Sequence, residues 1–82
     1  MPLFPEQCRA ARGLLNWTQE HLAGLAGVSR STIKDFECHR HVLHRSSEDH
    51  LVGAFQKGGV QFLCEENTGL GVRLKPRRAD GG

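Results

Sequence analysis

Nothing in the 82 residues approaches the roughly 18-residue apolar run of a membrane-crossing helix. The opening Met1-Pro2-Leu3-Phe4-Pro5-Glu6 lacks a basic stretch followed by an apolar one, so no export leader is expected and the expected compartment is the cytoplasm. Cysteines are few, odd in number and far apart: Cys8, Cys38 and Cys64 do not form a secreted disulfide framework, and reduced thiols are expected. Aromatics are scarce too. One Trp and four Phe, with no ladder along an alternating segment, argue against a single-stranded RNA platform that stacks bases. The sequence has no Gly-rich phosphate loop, no nucleophile elbow and no carboxylate pair in a credible cleft, so an enzyme is not expected and no cofactor is called for. Charge is nearly balanced. Eleven Lys and Arg against nine Asp and Glu give +2, and the pI near 8.6 is compatible with nucleic acid while below the value of about 9 that would argue for it.

A chain of this length supports one small core. The apolar spacing divides it into a helical domain over 1–59, a β-hairpin over 60–75 belonging to the same domain, and a flexible basic tail over 76–82. Pro5 and Glu6 suit a first helical turn, and Cys8, Ala11 and Leu15 follow at spacings of three and four, which predicts a helix over 6–15. Thr18 caps a second helix with Leu22, Leu25 and Ala26 on one stripe, and Gly27 ends it. Ser29 caps a third, with Ile33 and Phe36 inward. Residues 39–45 have no period and read as a loop. Ser46 or Ser47 then starts a fourth helix carrying Leu51, Ala54 and Phe55, ended by Gly58-Gly59. Beyond it the period falls to two. Val60, Phe62 and Cys64 form one alternating set, expected to face the core, and Val72 and Leu74 form another across a Gly-rich turn, which predicts the hairpin.

The turn Gly27-Val28-Ser29 between helices two and three is too short for anything but two helices crossing steeply, the helix-turn-helix geometry. With Ile33 at the centre of the buried face of helix three and about 100° per residue, Phe36 and Glu37 fall at about −60° and +40°, inward. Ser31, Thr32, Lys34 and Asp35 fall about 100° or more away, and Arg30 lies at the border. That outer set can donate and accept at base edges and phosphates in a major groove, although any solvated helix shows a polar outer face. Glu37 adds information. Arg12 lies about 40° from Cys8 on the apolar side of helix one, so two opposite charges point into one small core. Either they pair, tying helix one to the end of helix three, or both side chains reach out to solvent. Cys38, His39, His41, His44 and Cys64 are of zinc-ligand type, but their spacing matches no closed site, and the expectation is no metal. The five histidines are expected to decorate a surface, those near the 39–44 loop being the ones that could add positive charge toward DNA at mildly acidic pH. Trp17 is expected to pack on the core.

Arg12-Gly13-Leu14, Trp17-Thr18-Gln19-Glu20, Leu22-Ala23, Ala26-Gly27-Val28-Ser29, Ile33 and Phe36-Glu37 together resemble the helix-turn-helix domain of phage repressors and Cro, the XRE family, over residues 8–55. Gly59-Val60-Gln61-Phe62 and Gly71-Val72-Arg73-Leu74 resemble a small bacterial subgroup that is little more than this domain. The resemblance implies a mainly α, lambda-repressor-like domain of four to five helices with a C-terminal two-stranded hairpin. It also implies sequence-specific binding of double-stranded DNA in transcription regulation. Carried over, Gln19 resembles the residue that grips a phosphate and buttresses the recognition helix. Arg30, Ser31 and Asp35 resemble base-reading positions, with Thr32 and Lys34 at base or backbone contacts, and Arg12 with Glu37 resembles the structural ion pair. Departures are His39 where the family usually has Gly, Leu43 where the subgroup tends to have Pro, and Glu48 where an apolar residue is common. Lys34, Arg40 and Arg45 are expected to position the DNA backbone, while Lys75, Arg77 and Arg78 either touch phosphate or are only solvated. A homodimer joined through the hairpin is expected, with Leu63 and Leu70 near its outer side and recognition helices about 34 Å apart. The alternative function is a protein-interaction module, such as an antitoxin-like or regulatory partner.

Overall fold

The computed structural model describes residues 2–66 and 69–76. Its elements run α1 (Pro5–Leu15), α2 (Gln19–Ala26), α3 (Arg30–Glu37), α4 (Arg45–Lys57), β1 (Val60–Glu65) and β2 (Gly69–Leu74). The described chain is thus mainly helical, with four helices and one antiparallel hairpin.

The helix ends follow local chemistry. The Phe4 N–H ahead of α1 donates to Gln7 Oε1 at 3.2 Å, satisfying a donor that no earlier turn can accept. Thr18 Oγ1 accepts from the His21 N–H at 3.0 Å, and Ser29 Oγ accepts from the Thr32 N–H at 3.2 Å, both ordinary N-caps. Between these two helices Gly27 sits at φ +68°, the left-handed region that glycine enters without a Cβ clash. This allows the chain to reverse in three residues. The start of α4 differs from the expectation at Ser46 or Ser47: it begins at Arg45, with His44 as an N-cap that makes no side-chain bond. The half-buried Glu48 explains the earlier start, because its Oε2 accepts the Leu3 N–H at 3.1 Å and ties the first turn to the N-terminal strap. Leu43, just ahead, packs against the core.

Phe55, Leu22, Ile33, Leu51, Val60 and Cys8 are fully buried and gather α1 to α4 and β1 into one core. Trp17 stacks on Phe55 with ring centres 5.9 Å apart, and Phe62 meets Phe55 edge-on at 5.9 Å. A Cβ at Gly58 would stand 2.9 Å from both Leu15 and the Trp17 indole, so only glycine lets the end of α4 close on that ring. In the hairpin Phe62 pairs with Val72 and Leu63 with Gly71. The Lys75 N–H donates to Gly59 O at 2.7 Å, closing the base of the ribbon. The buried Gln7 amide donates to both Leu63 O at 3.1 Å and Gly71 O at 3.2 Å, which holds the sheet against α1.

Two hairpin expectations change. Cys64 shares the side of Phe62 but is exposed, because the ribbon has run past the core by that position. Leu63 and Leu70 lie on opposite faces, since Leu70 pairs with Cys64 and not with Leu63. Arg77 and Arg78 lie outside the described residues.

Candidate nucleic-acid interface

The inner face of α3 carries Ile33, Phe36 and Glu37, all buried. On its outer face Arg30, Ser31 and Lys34 are exposed, while Thr32 and Asp35 are half-buried. Of the polar row expected from the sequence, three members are thus exposed and two are partly withdrawn. Thr32 is drawn into the cap, its hydroxyl 2.7 Å from Ser29 Oγ. Asp35 Oδ2 lies 4.0 Å from His41 Nε2, and the Asp35 carbonyl accepts the Arg40 N–H at 2.8 Å. The loop after α3 is thus folded back against its last turn. Arg40, in that loop, and Arg45, at the start of α4, are both exposed.

His39 stands at φ +62°, the conformation for which a helix end usually recruits glycine. The chain accepts the left-handed strain of a histidine there, and His39 Nε2 comes within 3.4 Å of Glu6 Oε2.

What holds α3 is a buried carboxylate. Glu37, only 3% exposed, receives Arg12 Nη2 on Oε1 at 2.7 Å and Arg12 Nε on Oε2 at 2.8 Å. Gln19 Nε2 donates to Oε1 at 3.0 Å, and the Cys8 thiol donates to Oε2 at 3.1 Å. Each oxygen therefore accepts two donors. The guanidinium reaches further, with Nη1 donating to Trp17 O at 3.1 Å, and Arg9 Nη1 donates to the Glu37 carbonyl. Glu37 and Arg12 together thus join α1, the α1–α2 connection, the start of α2 and the end of α3.

The protonation of this cluster follows from the same contacts. Burial alone would raise the Glu37 carboxyl, but the donors from Arg12, Gln19 and Cys8 outweigh it and hold the group below its usual range. The hydrogen bond to Glu37 raises Arg12 against the opposing effect of burial. Cys8 is pushed far up, first by burial and then by the neighbouring carboxylate, so it is a thiol and a donor, not a thiolate.

Gln19 is the site residue whose placement most extends the expectation. Its amide is turned onto Glu37, so it buttresses α3 from inside, and an amide carries two hydrogens of which this bond uses one. Beside it a surface concavity of about 360 Å³ is lined by Arg12, Thr18, Gln19, Glu20 and Arg30, with two guanidinium groups and the N-terminal turn of α2 around it. The pairing of Arg12 with Glu37 was legible from angular position. The thiol and amide donors were not, since cysteine reads as apolar and the orientation of an amide is set only by its tertiary surroundings. Among the described residues no three of the His, Cys, Asp and Glu side chains converge as a metal site. Compared with known proteins, the chain matches no family model and no curated sequence.

Proposed function

We propose that the protein binds double-stranded DNA sequence-specifically, with α3 in the major groove, as a lambda-repressor-like transcription regulator. The observation that carries this reading is the division of α3. Its buried side is fixed by the Glu37 cluster, and its outer side presents Arg30, Ser31 and Lys34 free of any intramolecular ion pair among the described residues. A helix whose backbone is fixed and whose outer face carries donors suits base-edge readout, because the positions from which the side chains reach the bases are set before contact.

The roles proposed for its side chains are those that the resemblance implies. Arg30 takes guanine O6 and N7, and Ser31 donates or accepts at a neighbouring base edge. Asp35 accepts from a cytosine amino group and repels phosphate, which favours selectivity over tight nonspecific binding. Thr32 offers a methyl or hydroxyl at the edge of the contact. The concavity between Arg12, Gln19 and Arg30 receives a backbone phosphate, with the free hydrogen of the Gln19 amide and the α2 N-terminus as donors. Lys34, Arg40 and Arg45 position the backbone on the flank. No cofactor is required. Two domains related by a twofold place two α3 helices about 34 Å apart on successive major grooves.

In vitro selection from random duplexes at about 50 and 200 mM salt tests the proposal. An enriched motif and an affinity that falls steeply with salt support it. Absence of enrichment, or binding indifferent to salt, overturns it and favours a protein partner.

A further inference from the structure

The chain leaves α3 through a complete Schellman turn. The His39 N–H donates to Phe36 O at 3.0 Å and the Arg40 N–H to Asp35 O at 2.8 Å, the pair of bonds that closes a helix around a left-handed residue, here His39. Glu6 of α1 faces the His39 ring at 3.4 Å, and Arg9 donates to the Glu37 carbonyl, so α1 pins the same turn from the side. Backbone geometry therefore carries the next residue back onto the last turn of α3. His41 Nε2 stands 4.0 Å from Asp35 Oδ2.

The two side chains respond differently to pH. Carboxylates as a class ionise well below neutrality, whereas histidine is the side chain that changes charge between about pH 5 and 8. A neutral imidazole at 4.0 Å makes no bond to Asp35, whose oxygens stay open to an outside donor. A protonated one has only to close by about 1 Å to form a charged hydrogen bond, and the His41 side chain, 70% exposed, has room to do so. Other charges near this turn are occupied or stand apart. From α1, Glu6 is on His39, while Arg9 and Arg12 end on Glu37. From α2, Glu20 lines the concavity with Arg30. From α4, Glu48 holds the Leu3 N–H. Among the described residues Lys34, Arg40, His44 and Arg45 form no ion pair with Asp35, and His41 meets no second carboxylate.

We propose that His41 is a specificity-determining residue: neutral, it leaves the Asp35 carboxylate to accept from a cytosine amino group, and protonated, it takes that carboxylate for itself and cancels its charge. Base preference at that position then falls while binding to every duplex tightens, since a negative charge facing the phosphates is gone. The inference rests on the DNA reading above and adds a control by pH to it. Exposed ion pairs favour the joined state about two- to fivefold, which sets the size of the effect.

Competition between duplexes that differ only at the base pair whose preference is lost in Asp35→Ala tests it, at about pH 8 and about pH 5.5 and one ionic strength. Because the readout is a ratio, charge gained by the other histidines, which acts on all duplexes alike, cancels. Wild type is expected to lose about two- to fivefold of its preference on acidification. His41→Gln is expected to keep the full preference at both pH values, and His41→Arg to show the reduced one at both, each with unchanged circular dichroism. A wild-type ratio indifferent to pH, or one that falls equally in His41→Gln, overturns the proposal. Carbon NMR of the Asp35 carboxyl in the free protein reads the pair without DNA. Its resonance is expected to step as the His41 ring titrates in wild type and to lack that step in His41→Gln. Absence of the step in wild type overturns the pairing itself, whatever the protein binds. A step in a protein that binds no duplex overturns the DNA reading, and the proposal with it.

Discussion

Replacing Glu37 by Gln keeps the shape of the side chain and removes its charge. Four side-chain donors now end on the carboxylate, two on each oxygen. The glutamine amide retains one oxygen and turns two hydrogens toward the other pair of donors, leaving the Arg12 charge without a counterion. Breaking a buried ion pair by removing one partner costs about 3–5 kcal/mol. Arg12 is 21% exposed and recovers some hydration, so the lower end, about 3 kcal/mol, is the expectation. A domain of this size has a total stability of about 4–12 kcal/mol, and the Tm should fall by about 12–24 °C. Urea melts followed by Trp17 fluorescence read the change, since the indole stacks on Phe55 and is released on unfolding. In an Arg12→Met background the same substitution should cost less by about 1.5 kcal/mol or more, because no guanidinium is then orphaned. A loss below about 1 kcal/mol, or strictly additive single and double variants, would refute the assignment of Glu37 as the fixing point of α3.

Other consequences follow from the same contacts. Because the Glu37 carboxyl titrates lower in the folded chain than in the unfolded one, its stabilisation is fully present above the unfolded value and is lost as pH falls through the folded one. Melts from about pH 5 downward should therefore converge for wild type and Glu37→Gln, and parallel profiles would contradict this. Cys8 is buried while Cys38 and Cys64 are exposed, so a maleimide should label the latter two in native protein and Cys8 only after denaturant is added. Rapid native labelling of Cys8 would show that its thiol is not held against Glu37. Gln19→Ala should weaken binding to all duplexes alike, whereas Asp35→Ala should broaden base preference more than it changes affinity, and equal relative losses across a randomised operator library would reject this division of labour. His39→Gly should stabilise by about 1 kcal/mol, since it removes a side chain from the left-handed region, and an unchanged melting curve would argue against strain at that turn.

Much of the fold is readable in the chain because its signals agree. Thr18, Gly27 and Ser29 mark helix ends by local chemistry alone, and the change of period after Gly59 marks the hairpin. The inward angle of Arg12 and Glu37 was enough to expect a pair, since two opposite charges facing one small core have few other resolutions. Features set by distant contacts were less legible. The start of α4 depends on a Leu3 N–H forty-five residues away, and the exposure of Cys64 depends on where the ribbon runs past the core. For the candidate interface, polarity and spacing gave the row from Arg30 to Asp35. They did not give the retreat of Thr32 into the cap or the approach of His41 to Asp35, because both depend on where hydroxyl and loop groups settle once α3 is docked.

The most direct measurement is a backbone amide NMR titration of the full chain with a duplex enriched by selection. The account predicts that Arg30, Ser31, Lys34 and Asp35 shift most, with Gln19 and Arg45 at the margin and Gly53 unmoved. Shifts confined to α4 around Gly53, with the α3 amides unchanged, would contradict it.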